Sequence, residues 1–354
     1  MKIHFICSPV SGNGGIETVL SGIIGKLSLD YDISLTLLNN PENRLWLKNL
    51  PKGVNVSFPA NTQKIKLIGY LFGVFSNINN DDQVIILGAN ILKIAYLYKK
   101  IFFKKWNIIS WIHYSLKDQD MFNPRNLFYA DYHLAISSSI REQMIEMGIP
   151  KEKIYLIFNP ISKKKETNVP QKNNKIKLVF IGHITLNGQK NLKELFDGIK
   201  EYNNNYSKLF LDIFGSPDEI GACKEYARSL NIDKEIRWHS WTSNPWEIIL
   251  TDIKPNALIL TSKFEGLPMV VLEALSYGIP CITSNFKGFR DIIKDGENGL
   301  YYHQGNVKEL ACKINQLANL NFNSNKVKQS VEYFYEDKYY QSLKISLEKI
   351  IKHR

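Results

Sequence analysis

The sequence predicts an α/β fold of two domains, each built on a parallel sheet, and three observations support this. At 354 residues the chain is longer than a typical single domain. Short apolar segments alternate with longer stretches of helical periodicity, which favours parallel strands joined by helices. A polar stretch rich in Lys and Asn at 161–175, with Pro160 before it and Pro170 inside it, indicates an exposed linker.

The overall composition indicates a globular protein of the cell interior. Hydrophobic residues make up 44% and charged residues 22% of the chain, and no apolar run reaches the ~18 residues of a membrane span. The opening residues, MKIHFICSPVSGNGG, run from an apolar segment into a glycine turn without a cleavage site, so we expect a first strand rather than a signal peptide. No CxxC pair occurs, so we expect reduced cysteines rather than zinc ligands or disulfides at Cys7, Cys223, Cys281 and Cys312.

The net charge of +11 is concentrated in two stretches. Residues 61–117 contribute +6 and residues 161–177 contribute +5. A basic surface can bind nucleic acid, anionic lipid or a phosphorylated glycan, and no nucleic-acid-binding motif accompanies it. Residues 64–75 and 91–107 interleave lysines with apolar and aromatic residues. This pattern is typical of helices at a membrane surface and equally of ordinary amphipathic surface helices.

The first half of the chain begins with a strand, a glycine turn and a helix. Residues 2–8 form the predicted strand, Gly14 and Gly15 the turn, and an apolar-periodic helix starts at Ile16. A glycine turn at a helix start can bind phosphate. The turn lacks the dinucleotide fingerprint, because Glu17 stands where its third glycine belongs.

Further predicted elements complete this half. Ser137 to Ser139 offer N-caps to a helix ending near Met147. One strand ends at His113, and a histidine after a strand is most often structural. The remaining predicted strands cover residues 33–38, 84–87, 130–136 and 154–158.

The second half starts with a strand at 177–181 that runs into the loop G-H-I-T-L-N-G-Q-K-N. This loop is not a Walker loop, since the glycine spacing differs and no Ser or Thr follows Lys190. The loop W-T-S-N-P-W carries Trp241 and Trp246, for which the pattern assigns no role. A helix is predicted at about 331–350, and earlier elements at 210–214, 218–230, 236–239 and 256–261.

Residues 263–284, KFEGLPMVVLEALSYGIPCITS, read as loop, helix, stop and strand. Pro268 suits the first turn of a helix, Gly278 a left-handed stop, and Pro280 prevents continuation. The predicted helix is apolar almost all round, so we expect it to be buried.

Two carboxylates, Glu265 and Glu273, interrupt this apolar segment about two helical turns apart. The N–H groups of Gly266, Leu267 and Met269 lie at the positive end of the helix dipole, where phosphate binds well. The segment therefore suits an extended ligand with hydroxyls at both ends and a phosphate between them, as in a nucleoside diphosphate sugar. The alternative is a core helix with one N-terminal Glu and one Glu that reaches solvent.

The pattern S-x-F-E-G-x-P…L-E-A-L-x-x-G-x-P, with Glu265 and Glu273 in it, resembles the signature of the retaining glycosyltransferases of family 4. Together with ADYHLAISSSI and IFNP, it is similar to the lipopolysaccharide-core α-1,6-galactosyltransferases of enteric bacteria. The resemblance is strongest over 130–160 and 236–282, and weak over 40–106.

The resemblance implies the GT-B fold: two Rossmann-like β/α/β domains that face a central cleft, with a C-terminal helix crossing back to the first domain. We expect an acceptor-side domain at 1–160, a linker at 161–175, a nucleotide-sugar-binding domain at 176–330 and the crossing helix at 331–354.

The resemblance also implies the roles of individual residues. Glu273 would accept hydrogen bonds from ribose hydroxyls, Glu265 would hold hydroxyls of the donor sugar, and His113 would face that sugar. His113, Glu265 and Lys190 are the expected catalytic residues. The family has arginine where this chain has His183, so we expect weaker or more pH-dependent donor binding. The expected donor-binding residues are Gly14, Gly15, His183, Lys190, Glu265, Gly266, Leu267, Pro268 and Glu273, and the donor diphosphate would be held by Lys190, His183 and the backbone amides of the two glycines and of the residues after Glu265.

The implied activity is retaining transfer of galactose or glucose from a UDP-sugar to a hydroxyl of a bacterial cell-surface glycan or glycolipid. The UDP-sugar is a co-substrate, and neither a cofactor nor a metal is expected. We expect a cytoplasmic protein, peripheral on the inner membrane, that does not bind nucleic acid.

Three alternatives stay open. One is a catalytically weak sugar-nucleotide-binding scaffold of a glycan assembly complex, and the second is a sugar-nucleotide epimerase. The third is a metal-dependent transferase with an Asp-x-Asp site, a short pattern met at Asp30 and Asp32 and at Asp118 and Asp120.

Overall fold

The computed structural model describes residues 1–10, 12, 15–117, 121–164, 175–216, 219–242 and 244–352. The chain forms two compact units. Residues 1–160 and 337–354 make up unit 1, and residues 161–336 make up unit 2. Within the described residues, no helix combines the length and the apolar character needed to cross a membrane.

Unit 1 is built on a seven-stranded, all-parallel sheet in the order β3-β2-β1-β4-β5-β6-β7. Its central strands are buried along their whole length, as expected for a parallel sheet covered on both faces. The strands are β1 (Lys2–Cys7), β2 (Asp32–Leu37), β3 (Asn55–Ser57), β4 (Gln83–Leu87), β5 (Asn107–Ile112), β6 (Tyr132–Ala135) and β7 (Ile154–Leu156). The helices are α1 (Gly15–Leu27), α2 (Lys64–Ser76), α3 (Ala89–Ile101) and α4 (Ser138–Glu146), which the Ser137 hydroxyl caps as predicted.

Unit 2 contains a six-stranded, all-parallel sheet in the order β10-β9-β8-β11-β12-β13. The strands are β8 (Lys177–Ile181), β9 (Phe210–Phe214), β10 (Ile236–His239), β11 (Ala257–Leu260), β12 (Cys281–Ser284) and β13 (Gly299–Tyr302). The helices are α5 (Leu192–Asn205), α6 (Ile220–Ser229), α7 (Trp246–Ile248), α8 (Met269–Ser276), α9 (Val307–Asn319) and α10 (Ser324–Ser330). Helix α7 continues directly into a π-helical turn, Ile249–Ile253.

The end of the chain differs from the single helix predicted at 331–350. A 3-10 turn, Glu332–Phe334, comes first, and helix α11 (Glu336–Lys352) follows. Tyr335 between them is extended, because the chain on either side of it bonds to Ile161: the Ile161 N–H donates to the Phe334 carbonyl, and the Glu336 N–H donates to the Ile161 carbonyl. Helix α11 then packs in unit 1, as expected for the predicted fold, and Tyr339, Leu343 and Leu347 are among its buried residues.

Each sheet has one point where strand order reverses. In unit 1 the reversal lies between β1 and β4, and in unit 2 it lies between β8 and β11. The loops that follow two such strands diverge from the carboxyl edge of the sheet and leave a crevice, which is where open α/β sheets bind ligands. These two places therefore carry the candidate sites.

Candidate functional site

The reversal point of unit 2 brings together Lys190 and Glu265. Lys190 ends the loop after β8, and Glu265 lies in the loop after β11. The Lys190 Nζ donates to Glu265 Oε1 at 2.6 Å, and the two side chains are only 14% and 8% exposed. Charged side chains this far from water are costly unless they are paired, so the contact stabilises both residues at this position. This contact joins two residues that the sequence pattern identified separately.

Further hydrogen bonds fasten the two loops to each other. The Gln189 amide donates to the Phe264 carbonyl at 2.8 Å, and the Lys263 N–H donates to the Gln189 carbonyl at 2.8 Å. The Thr261 hydroxyl, fully buried, donates to the carbonyl of Lys190 at 3.0 Å. These bonds hold the two loops together, and the Gln189 amide also donates to Glu265 Oε2 at 3.4 Å. Sequence reasoning missed Gln189 and Thr261, since neither carries a motif.

The start of helix α8 offers free N–H groups next to this ion pair. Within the described chain, no partner accepts from the N–H of Gly266 or Leu267, and the first N–H groups of a helix have no intrahelical partner. Pro268 is the N-cap residue, one position earlier than predicted, and Gly278 ends the segment in the predicted left-handed conformation at φ 81°. An anion at this position would meet unpaired N–H groups and the positive end of the helix dipole.

His183 lies at the end of β8, on the same loop as Lys190. Its ring is exposed, and Nδ1 lies 2.9 Å from the Ser216 hydroxyl at the end of β9. A Cβ on Gly215 would come 1.7 Å from the Gly182 carbonyl, so Gly215 is required for the close approach of the two strand ends. His183 therefore faces the same edge of the sheet as Lys190, where it can offer a hydrogen bond from its imidazole ring.

Glu273 is the fifth residue of α8, just over one turn from its start, and has a different neighbourhood. The Trp246 indole Nε1 donates to Glu273 Oε2 at 2.8 Å, and the Trp246 ring packs against Tyr277 with centroids 5.0 Å apart. Burial raises the pKa of the Glu273 carboxyl, whereas the indole N–H and the nearby Lys164 ammonium lower it. Glu273 is thus held in one orientation, apart from the Lys190–Glu265 pair.

Unit 1 contains a cavity of about 410 Å³ at its own reversal point. It lies at the carboxyl ends of β1, β4 and β5, and helices α2 and α3 contribute to its walls. Most of the lining is apolar, with Leu71, Leu87 and Trp111 among the residues, and His113 also lines it. The volume is within the range of small-ligand pockets.

His113 follows β5 directly, as the sequence predicts, and packs against Trp111 with ring centroids 4.5 Å apart. Its Nε2 is buried and has no hydrogen-bond partner among the described residues. Burial lowers the pKa of His113 to about 3, so the imidazole is neutral at physiological pH. A neutral His113 can donate one hydrogen bond to a ligand from one ring nitrogen or accept one at the other, and it does not supply a positive charge.

The predicted glycine turn after β1 is only partly described. Gly14 lies outside the described residues, and Gly15 is the exposed first residue of α1. Glu17, buried in the first turn of α1, accepts from the Gly12 N–H at 2.7 Å. A carboxylate of the chain therefore already occupies one N–H of this turn. That contact weakens the expectation that the whole turn is open to a diphosphate.

The Asp-x-Asp alternative finds no support in the described residues. Asp30 pairs with Lys344 at 2.8 Å, and Asp32 is exposed at the start of β2. The second pattern, Asp118 and Asp120, lies outside the described residues. Among the residues that are described, no group of three His, Cys, Asp or Glu is placed to hold a metal ion.

Comparisons with known proteins bear on the family and the fold of the chain. The family model of glycosyl transferases group 1 matches residues 162–336, which is unit 2 almost to its ends. The lipopolysaccharide 1,6-galactosyltransferase of Salmonella typhimurium is 33% identical over 357 aligned residues, covering 97% of both chains.

Two solved structures show the same architecture. The lipopolysaccharide outer core galactosyltransferase WaaB, in its apo form, superposes with a TM-score of 0.87 at 32% identity over 99% of each chain. The HepE protein of Anabaena in complex with UDP-glucose superposes with a TM-score of 0.78 over 99% of this chain and 100% of its own, at 16% identity, which bears on the fold alone. The paired Rossmann-like units are accordingly those of the GT-B fold, and this chain belongs to the glycosyl transferases group 1 family.

Proposed function

We propose that the protein transfers a hexose from a UDP-sugar to a hydroxyl of a bacterial cell-surface glycan, with retention of the anomeric configuration and without a metal ion. The observation that carries this proposal is the Lys190–Glu265 pair, set against the free N–H groups of Gly266 and Leu267. A cation and a helix start beside one carboxylate suit a diphosphate joined to a hydroxyl-bearing sugar.

The proposed roles follow from the charges. As the bond from the sugar to the diphosphate breaks, negative charge grows on the leaving UDP. Lys190, His183 and the amides after Glu265 would stabilise that charge, while Glu265 orients the sugar and Glu273 accepts from the ribose hydroxyls. His113, a neutral group, would hydrogen-bond the donor sugar. Lys190 must exchange its bond to Glu265 for the diphosphate when the donor binds, which makes Glu265 available to the sugar.

The proposed donor is UDP-galactose, with UDP-glucose as the second choice. Support comes from the Salmonella relative, whose name states a galactosyl transfer. The two sugars differ in configuration at carbon 4 alone. The acceptor is proposed to contact unit 1 around its cavity, and the Salmonella relative makes a lipopolysaccharide core glycan the first candidate.

Peripheral binding to an anionic membrane is part of the proposal. The end of α3 exposes apolar side chains, including Leu97, Ile101, Phe102 and Phe103, and we name these four the α3 patch. Phe103 is 86% exposed and adopts a positive φ of 50°, which is uncommon for a bulky residue. Exposed Lys100 and Lys105 flank the patch. Apolar side chains framed by lysines suit the headgroup region of an anionic bilayer.

A donor screen tests the proposal. The purified protein is incubated with UDP-galactose, UDP-glucose, UDP-N-acetylglucosamine or a GDP-sugar in the presence of EDTA, and thermal stability and UDP release are measured with and without a truncated lipopolysaccharide acceptor. We expect one UDP-hexose to stabilise the protein and to release UDP faster when acceptor is present. Proton NMR of the product should show an α linkage.

The other outcomes separate the alternatives. Donor binding without acceptor-dependent UDP release would favour the scaffold, and interconversion of free sugar nucleotides would favour the epimerase. A strict requirement for a divalent cation would contradict the metal-free site.

A further inference from the structure

The Trp246–Glu273 contact points to a positioning function that no motif indicates. Trp246 is 6% exposed, and its N–H is directed at Glu273 Oε2 at 2.8 Å. A buried indole N–H needs an acceptor, and a carboxylate is a strong one because the hydrogen bond is charge-assisted. The two residues are 27 positions apart in the chain and meet because α7 packs beside α8.

The contact uses one carboxylate oxygen and leaves the other available. Within the described chain, no second side chain donates to the Glu273 carboxylate, and Glu273 Oε1 is not among the buried atoms that lack a partner. Oε1 can therefore meet a ligand while Oε2 stays anchored. The Tyr277 ring, whose centroid lies 5.0 Å from that of the indole, restricts how far the indole can move.

The same cluster controls the charge of Glu273. Burial raises the pKa of its carboxyl, and the Trp246 N–H and the Lys164 ammonium oppose that rise. The Lys164 Nζ also lies 5.5 Å from the centre of the Tyr277 ring. Lys328 of α10 comes close to Gly278 at the end of α8. Trp246 is thus one of two groups that favour the ionised form.

We infer that Trp246 is a positioning residue that holds the Glu273 carboxylate fixed in direction, as the acceptor for the ribose hydroxyls of the uridine diphosphate. The inference rests on the proposed function, which assigns the ribose to Glu273. Trp246 itself need not touch the ligand. It determines which oxygen of Glu273 faces the ribose. Because the indole N–H opposes protonation of the carboxylate, Glu273 can accept hydrogen bonds at a lower pH than an equally buried carboxylate that lacks this contact.

The test uses ligand pairs that differ at the ribose. Affinities for UDP and 2′-deoxy-UDP are measured by calorimetry for the wild type, Trp246→Phe, Glu273→Gln and the double variant, between pH 5.5 and 8.5. Trp241→Phe is the matched control, since Trp241 is an exposed tryptophan of the same loop. Thermal unfolding of each variant shows whether it is folded.

We expect Trp246→Phe to weaken UDP binding about 10-fold, in line with a lost hydrogen bond to a charged group, and to reduce the preference for UDP over 2′-deoxy-UDP. The loss should grow as the pH falls, since without the indole the carboxyl protonates at higher pH. The double variant should bind no more weakly than Glu273→Gln, and Trp241→Phe should behave as the wild type.

Two results would overturn the inference: equal weakening of UDP and 2′-deoxy-UDP by Trp246→Phe, or additive losses in the double variant. Either would mean that Trp246 supports packing alone. If Glu273→Gln keeps the affinity and the ribose preference of the wild type, the assignment of Glu273 within the proposed function fails, independently of Trp246.

Discussion

Lys190 and Glu265 show how much of the site depends on single side chains. The buried ion pair is stable as a pair, but removal of one partner leaves an uncompensated charge in a region that water hardly reaches. The same two residues are proposed to separate when the donor binds, so the pair is a resting state of the site.

Replacement of Lys190 tests this pair. We expect Lys190→Met to lower kcat/KM for the UDP-hexose by about 10²- to 10³-fold, the usual cost of losing one group that stabilises developing negative charge. Lys193→Met is the control, because Lys193 pairs with Asp197 on the more exposed face of α5. Steady-state kinetics with acceptor present gives the comparison, and equal activity of both variants would remove Lys190 from the proposed machinery.

His113 makes a prediction about pH. Its pKa is lowered by burial from an ordinary value of 6.5 to about 3, so in the folded protein it stays neutral between these values while the unfolded chain takes up a proton. The folded state therefore loses stability progressively as the pH falls below 6.5. The free energy of unfolding of the wild type and of His113→Gln is measured by urea titration. We expect the difference, wild type minus variant, to decline from pH 7 to pH 5.

If the free energy of unfolding depends on pH in the same way for the wild type and for His113→Gln, then His113 becomes protonated in the folded state. The same variant should lower activity without moving the pH profile of kcat/KM between pH 6 and 8, since a neutral group is replaced by a neutral group.

At the scale of elements, the loops after strands carry the chemistry and the helix ends carry the surface properties. The loops after β8 and β11 meet because their strands are neighbours in the sheet, although Lys190 and Glu265 are 75 residues apart. The end of α3, in contrast, exposes apolar side chains at the surface of the protein.

The α3 patch makes a prediction about membranes. Phe103→Asn removes the most exposed aromatic ring of the patch, and Asn tolerates a positive φ better than Phe does. We expect the variant to be at least as stable as the wild type and to bind vesicles containing anionic lipid more weakly, by about 3- to 10-fold in co-sedimentation, since apolar burial in the bilayer is lost.

Leu29→Asn provides the comparison, because Leu29 is 79% exposed and lies outside the patch. If both variants bind vesicles as the wild type does, α2 and α3 are ordinary surface helices, which was the alternative that the sequence left open.

At the scale of the whole molecule, the last helix belongs to the first unit. Leu343 of α11 is 2% exposed and lines a small space together with residues from four strands of unit 1, including Phe5, Ile85 and Leu134. Unit 1 therefore includes α11 as well as residues 1–160.

Truncation of that side chain tests the packing. We expect Leu343→Ala to lower the free energy of unfolding of unit 1 by about 2–5 kcal/mol, with the loss of hydrogen-exchange protection concentrated in residues 1–160. Ile345 on the same helix is 47% exposed, so Ile345→Ala should change the free energy of unfolding little. Loss of protection in unit 2 instead would contradict the assignment of α11 to unit 1.

Local patterns predicted much of this molecule correctly. Apolar runs marked the central strands, because strands buried on both faces must be apolar throughout. The N-cap at Ser137 and the helix end at Gly278 could be predicted from the sequence, since each depends on a backbone requirement that few residue types meet. The break at Tyr335 could not be predicted from the local sequence, because it depends on hydrogen bonds between the flanking chain and the distant Ile161.

The sequence by itself determined the alternation of strands and helices, the buried helix that follows Glu265, and a motif specific enough to indicate the family, because these depend on periodicity and on residues close together in the chain. The tertiary structure alone decided that Lys190 pairs with Glu265, that Trp246 donates to Glu273, that Glu17 accepts from the Gly12 N–H, and that α11 belongs to unit 1. Partners such as Lys190 and Glu265 are brought together by the order of strands in a sheet. That order is set by the packing of the whole core, so no local stretch of sequence encodes it.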